Sequence, residues 1–395
     1  MKNKYAISII ALLIVFAPIT NLVHQIAPSY LFGKSAWVAI PTIILAIVFV
    51  VKLIEFNRIN QIACLIGIAL LGYLILNMSS LVYGESKNIL DYRYVLTFPM
   101  YLILADFFSR FEDSRKFLVT ALIIQGVIAS MIYIINAHFF PNIQIQPDDY
   151  GAQEMIFDGE RTRNMLLGAS TSGNMILIAM FALAFWHFYN QKFINYVFWT
   201  LQLCMIYAIS LGGSRYPLVS GLCILLFCIF LKNPLKNLFF LLVTFLCLFG
   251  FATLFNIEIL ESYRFNQDLG GRVEKIQLSL SLIFESATHF FIGPPIVVSA
   301  NASSPEGYSI SDNSYLAIAL SFGVPFTFLF FKYLISFNNW KNSDGLYKLF
   351  TIYFIFGLGV TNSIYWESYI FIASFCWLLL LRQPRFLIKA SRLEC

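Results

Sequence analysis

Charge is what this sequence has least of. Only 12% of its 395 residues are Asp, Glu, Lys or Arg, where a soluble domain carries about a quarter. With 59% of the chain hydrophobic, there is more apolar surface than a water-soluble fold can bury, and that class is excluded. Histidine is scarce too. His24, His138, His187 and His289 are scattered along the chain, and no His/Asp/Glu cluster stands at ligand spacing, so neither a metal nor another cofactor is expected. The seven cysteines (Cys64, Cys204, Cys223, Cys228, Cys247, Cys376 and Cys395) lack a Cys-x-x-Cys spacing and a histidine partner. They read as apolar filler and not as redox or metal groups. The net charge of +5 is not gathered into one basic patch, which argues against a nucleic-acid partner.

What is plentiful is long apolar runs. A bilayer core of about 30 Å takes roughly 20 helical residues to cross, and twelve stretches qualify, near 5–23, 36–54, 60–82, 94–110, 117–137, 173–189, 193–211, 215–231, 236–256, 313–334, 346–363 and 365–382. The expectation is an all-α polytopic membrane protein, residues 1–395 forming a single integral membrane domain. Lys2 and Lys4 before the first stretch resemble a signal peptide. Eleven further spans and no small-residue cleavage site argue for a retained helix.

Positive charge is retained on the cytoplasmic side of a bacterial inner membrane. With the N-terminus inside, 17 of the 26 basic residues fall in cytoplasmic segments, whereas 15 of the 21 acidic residues fall outside. An even span count then puts both termini in the cytoplasm, where the basic tail Arg382, Arg385, Lys389 and Arg392 agrees.

Two outer loops, 138–172 and 257–312, are far longer than the other connections, and loops of that length are usually functional. In the second, Ile276, Leu280, Ile283, Ala287 and Phe290 recur at helical spacing with Glu274, Gln277, Ser281, Glu285 and Thr288 between them. That pattern predicts an amphipathic helix over 274–291 lying at the membrane surface. Gly270-Gly271 and Gly293-Pro294-Pro295 punctuate its ends.

The arginines carry the most chemical information. A guanidinium stays charged when buried and offers phosphate a planar, bidentate fork, so several arginines facing one outer cavity suit a pyrophosphate. Arg215 follows Gly212-Gly213-Ser214 at a helix start, a place that already favours an anion. The competing reading is an arginine that snorkels to lipid headgroups. For Arg93, flanked by Tyr92 and Tyr94, ordinary interfacial anchoring is the better account. Aromatic belts likewise explain most of the 21 tyrosines.

Four short features in order complete the picture. Arg161-Thr162-Arg163 precedes the helix entry Gly168-Ala169-Ser170-Thr171-Ser172-Gly173-Asn174, and Gly213-Ser214-Arg215 opens a later span. Then come Gly270-Gly271-Arg272 with the amphipathic helix, and Asp312-Asn313-Ser314-Tyr315-Leu316 at the tenth span. Their order and membrane side resemble the O-antigen polymerase and O-antigen ligase superfamily, over roughly 150–330 by motif and the whole chain by topology. The resemblance implies a GT-C-like membrane fold. The activity implied is a glycosyltransferase of lipopolysaccharide or other surface-polysaccharide biosynthesis, acting on polyprenyl-pyrophosphate-linked glycan donors and acceptors on the periplasmic face. A chain-length regulator is a further partner, and no metal is required.

Ligases of that superfamily usually carry His-Asn where this chain has Asp312-Asn313, which favours polymerase over ligase. The proton acceptor is left open among Asp312, Glu274, Glu160 and His289. Asp312 is first, because a carboxylate near membrane depth becomes a stronger base. The resemblance assigns Asp312, Arg215 and Arg272 to catalysis, and Arg163, Arg161, Arg264, Asn313 and Tyr315 to pyrophosphate and glycan binding. The arginines would offset charge on the leaving group, and direct attack by the acceptor hydroxyl would invert the anomeric centre. The rival classes are a ligase of the same superfamily and a lipid-linked glycan flippase or transporter. Transporters place ionisable residues near the bilayer midplane and often repeat in halves, neither of which is visible here.

Overall fold

A computed structural model describes residues 2–26, 34–84, 89–139, 169–190, 195–211, 215–231, 234–254, 270–295, 313–338, 340, 343–360 and 367–381. Among these, 92% are helical and none is in a strand. Fifteen α-helices follow in order: α1 Lys2–Ile26, α2 Lys34–Lys52, α3 Ile59–Tyr83, α4 Ile89–Phe108, α5 Glu112–Phe139, α6 Ala169–Asn190, α7 Asn195–Leu211, α8 Arg215–Phe230, α9 Pro234–Leu254, α10 Gly270–Phe284, α11 Ala287–Ile292, α12 Ser314–Phe322, α13 Val324–Ile335, α14 Gly345–Val360 and α15 Glu367–Leu381. The described part of each apolar stretch read from the sequence is mainly helical, so the all-α expectation holds among the described residues. Two helices, Ile59–Tyr83 and Glu112–Ile135, are long and apolar enough to cross a membrane by length and composition.

The bundle is organised around α6, which packs against α5, α7, α8, α14 and α15. From Met175 to Trp186 no side chain is more than 8% exposed, as expected of a helix that is apolar on every face. Close approach comes from small residues. A Cβ on Gly126 of α5 would sit 2.0 Å from the Ala179 Cβ, so glycine is what lets these two helices touch. Two glutamines pin the same helix from either side: Gln125 Nε2 donates to the Met175 carbonyl at 2.8 Å and Gln202 Nε2 to the Met180 carbonyl at 3.0 Å.

The outer helices are built differently. Only 17% of the apolar window of α3 is buried, and Ile59, Ile66, Leu70, Leu74 and Leu81 are all exposed. An apolar exterior of this kind suits hydrocarbon and not water. Along α3 three contacts act as a ruler. Tyr333 of α13 donates to the Gln61 carbonyl at 3.0 Å, Phe326 lies against Gly72, and Tyr83 donates to the Gly293 carbonyl at 3.2 Å. The steps are eleven residues, about 16 Å of helix each. Thus α13 runs antiparallel to α3, and α11 sits at the far end.

Two stretches expected to be continuous are broken. The run 313–334 divides into α12 and α13 at Gly323, whose φ of 83° is favourable only for glycine. A Cβ there would lie 2.3 Å from the Phe291 carbonyl oxygen. The break therefore receives the end of α11, with Pro325 in the first turn of α13 where its missing N–H costs nothing. The amphipathic segment divides as well, starting at Gly270 instead of Glu274 and stopping at Phe284. Ser286 then caps α11 through a bond from the His289 N–H at 3.0 Å.

At the end of the bundle holding residues 52–58 and 106–110, charges close the structure. Lys52 is 4% exposed and bonds Asn3 Oδ1 at 2.7 Å and Glu55 at 3.0 Å. Asp106 is 5% exposed and takes Arg58 and Arg110 on the same oxygen, each at 2.7 Å.

Candidate functional site

At the opposite end, the heads of α6, α8, α12 and α15 meet the tail of α14. Asn313 has extended backbone, and its Oδ1 accepts from Tyr315 N at 2.9 Å and Leu316 N at 3.1 Å. This is an N-cap, and it satisfies two donors that the first turn of α12 would otherwise leave open. With Oδ1 so engaged, Asn313 can meet a ligand only through its amide nitrogen. Ser314 behind it is fully buried.

Tyr315 turns towards α14. Its hydroxyl donates to the Ile355 carbonyl at 2.7 Å, and its ring packs on Phe331 with centroids 4.6 Å apart. From α8, the Tyr216 hydroxyl donates in the same way to the Tyr353 carbonyl, and the two rings stack at 5.4 Å. Both acceptors already serve the α14 ladder, so the phenols take the second lone pair of each oxygen. The reason they can is in the sequence. Four residues beyond Tyr353 and Ile355 stand Gly357 and Gly359, and no Cβ covers either carbonyl. A Cβ on Gly357 would lie 2.8 Å from the Tyr216 oxygen, and one on Gly359 would lie 3.3 Å from the Tyr315 ring.

The network continues inward. Tyr353 donates to Asn174 Oδ1 at 2.8 Å, and Tyr369 from α15 donates to the Tyr353 oxygen at 3.4 Å. Asn174 is 1% exposed and its Nδ2 has no hydrogen-bond partner, an arrangement that costs about 1–3 kcal/mol unless something accepts from it. Beside it, Gly173 lets Pro217 of α8 come close, 3.1 Å from where a Cβ would be. These bonds tie the Gly173-Asn174 entry, the segment after Arg215, the segment after Asn313 and the tail of α14 into one neutral, phenol-rich floor.

The expected site residues distribute unevenly over this frame. Asn313 and Tyr315 belong to the floor. Arg215 is the first residue of α8, next to Tyr216, and Arg272 is on the first turn of α10, which packs against α12. Asp312, Arg161, Arg163, Arg264 and Glu160 lie outside the described residues. His289 is held on α11: its Nδ1 lies 2.9 Å from the Leu282 carbonyl, 3.5 Å from Glu285, and its ring is 5.8 Å from Tyr83. A carbonyl can only accept, so Nδ1 carries the proton and Nε2 is the basic nitrogen. Among the described residues no three of His, Cys, Asp and Glu come together as a metal site requires.

Tyr216, Tyr353, Tyr369 and Asn174 escaped the sequence reading as site residues. Tyrosine in a chain of this composition reads as an interfacial belt, yet Tyr369 is 1% and Tyr353 6% exposed. The available signal was the pair Gly357 and Gly359 within an otherwise apolar helix. Comparison with known protein families and with curated proteins returns no match for this chain.

Proposed function

We propose that the chain is a multi-pass inner-membrane polymerase of surface polysaccharide, of the O-antigen polymerase type. It joins repeat units carried on polyprenyl pyrophosphate, with about twelve spans and both termini cytoplasmic. The carrying observation is convergence. Three segments that the resemblance marks as functional, around Gly173, Arg215 and Asn313, are more than 100 residues apart in sequence at their extremes and are joined by the hydrogen bonds of one floor.

In this reading Arg215 and Arg272, with Arg161, Arg163 and Arg264 of the long loops, hold the pyrophosphate and offset the charge that builds on it as the glycosidic carbon departs. The heads of α6 and α8 add favourable dipoles. Asp312 accepts the proton of the acceptor hydroxyl as that oxygen attacks the anomeric carbon, with inversion. The leaving group is already activated, so neither metal nor nucleotide sugar is needed. The phenolic floor gives an uncharged, donor-rich surface on which sugar hydroxyls and aromatic rings meet.

The break at Gly323 is the observation that favours a carrier, since discontinuous helices line transporter sites. It weighs less, because backbone of Phe291 and Ile292 fills the break. The test is the surface-glycan ladder of a deletion strain carrying wild type, Arg215→Ala, Arg272→Ala or Asp312→Asn, with membrane abundance measured alongside. A polymerase deletion leaves core lipid capped with a single repeat unit, and the variants fail to restore the ladder at normal abundance. Loss of every capped form would instead identify a ligase or flippase and overturn the proposal.

A further inference from the structure

The hydrogen bonds of the floor leave the amide nitrogen of Asn174 over. The Tyr353 oxygen already takes the proton of Tyr369, so its own proton goes to Asn174 Oδ1 at 2.8 Å. That fixes which end of the amide is which. Nδ2 then has no hydrogen-bond partner, although the residue is only 1% exposed. An amide nitrogen donates and cannot accept, so whatever meets it has to present an acceptor oxygen.

The setting narrows that acceptor. Asn174 is the sixth residue of α6, a helix of 22 residues. Helical side chains lean back over the preceding turn, so this one is aimed at the head of its own helix. There the first-turn N–H groups point the same way, and the dipole is positive. Gly173 brings the head of α8 alongside, with Pro217 3.1 Å from where a Cβ would stand, and α8 starts at Arg215. Two helix heads and an amide nitrogen offer donors only. A sugar hydroxyl would bring a proton that none of them can take, whereas a phosphoryl oxygen purely accepts and carries the charge that both dipoles favour. Shut off from bulk water, a bond from the amide to a charged oxygen is also stronger than one at the surface.

We infer that Asn174 Nδ2 donates to a phosphoryl oxygen of the lipid-linked pyrophosphate and seats that group at the head of α6. The inference rests on the polymerase reading, and it adds a neutral donor to the arginines proposed to hold the same group. Water is the other acceptor that a buried donor takes, and the experiment separates the two.

Undecaprenyl pyrophosphate, undecaprenol and inorganic pyrophosphate are titrated in turn against the full chain in detergent, with retention read by native mass spectrometry. Wild type retains undecaprenyl pyrophosphate in preference to undecaprenol. Asn174→Asp keeps an oxygen for Tyr353 and puts an acceptor where the donor was. At pH 8 it retains undecaprenyl pyrophosphate about tenfold less, the loss of one hydrogen bond to a charged group, and holds undecaprenol as before. If that variant fails to fold, two others decide. Tyr353→Phe keeps the donor and Tyr353→Phe with Asn174→Leu removes it, so the second loses the preference for pyrophosphate and the first does not. Retention by Asn174→Asp equal to wild type leaves water as the partner of Nδ2 and overturns the inference, while the polymerase reading stands. A wild-type chain that does not distinguish undecaprenyl pyrophosphate from undecaprenol overturns both. Inorganic pyrophosphate that displaces the lipid with the same dependence on Asn174 identifies a site for a free anion and overturns the lipid-linked assignment.

Discussion

Around Asp106 the bundle is held by ion pairs, with Arg58 and Arg110 sharing one carboxylate oxygen and Lys52 bridging Asn3 and Glu55. Around Tyr353 it is held by phenols: Tyr216 and Tyr315 reach into the α14 backbone, Tyr369 reaches Tyr353, and Tyr353 reaches Asn174. The difference concerns more than composition. A carboxylate already occupied by two guanidiniums has no capacity to act as base or to counter a bound cation, so the Asp106 end is electrostatically committed. Phenol-to-carbonyl bonds carry no net charge, and a ligand arriving at the Tyr353 end would meet a field set by itself and by the arginines proposed to hold it. Catalysis of charge transfer needs the second kind of environment, prearranged and unneutralised.

The sharpest way to break the phenolic end is through the backbone that shapes it. Gly323→Ala would put a Cβ 2.3 Å from the Phe291 carbonyl oxygen at a φ of 83°. The atoms it would meet are backbone, so α11 or the helix break would have to shift, and a loss of roughly 3 kcal/mol or more follows. Thermal unfolding in detergent, with membrane abundance, reads it. Gly67→Ala is the control, since a Cβ there meets nothing within 4 Å and should be neutral or slightly stabilising.

Next in size, Asp106→Asn tests the charged end. It leaves two arginines without their shared anion. A buried partner removed from an ion pair costs several kcal/mol, and partial exposure of both guanidiniums reduces this to about 2 kcal/mol. Stability of the variant should rise with added salt, which screens the two arginines from each other, whereas variants of the phenolic end should not respond. A salt response at both ends would erase the distinction between them.

Much of this was legible in the sequence, and the losses have identifiable causes. Hydropathy located every long helix to within a few residues, as with 215–231 against Arg215–Phe230 and 60–82 against Ile59–Tyr83, because composition alone decides where a chain can be apolar and helical. It missed the division at Gly323 because glycine, valine and proline leave an apolar average unchanged while altering the backbone. The tail of the amphipathic segment was lost similarly, since Ser286 competes for the His289 N–H in a way that periodicity does not weigh. Asn313 as a helix start was readable, being an N-cap type before an apolar run. The tyrosine floor was not, because its acceptors are backbone carbonyls of a helix some 40 to 140 residues away, made available only by the register of Gly357 and Gly359.

Third in size is Tyr353→Phe. It removes the donor to Asn174 Oδ1, leaving an asparagine that is 1% exposed with neither polar atom satisfied, at a cost of about 1.5 kcal/mol. Adding Asn174→Leu removes the orphaned group. A double-mutant cycle should therefore show positive coupling of roughly 1 kcal/mol, the double variant being less damaged than the two singles added. Strict additivity would mean that the two side chains do not depend on each other and that the floor is no network.

The smallest effect is the most informative about function. Tyr315→Phe deletes one phenol-to-carbonyl bond, yet the ring stays against Phe331 and the Ile355 carbonyl keeps its place in the α14 ladder. Nothing buried is left unsatisfied, and a hydrogen bond between membrane helices is worth only about 0.6 kcal/mol on average, so unfolding and abundance should barely move. Any larger consequence has to arise from position, because Tyr315 follows Asp312 by three residues and its hydroxyl fixes the head of α12 against α14. If the head of α12 carries the reacting groups, the glycan ladder shortens several-fold in the variant at wild-type abundance. Gly359→Ala, which crowds the same ring at 3.3 Å, should then reproduce the shortening without touching a polar atom. A full-length ladder from both variants would separate the floor from the chemistry and leave it, like the Asp106 cluster, a means of closing one end of the bundle.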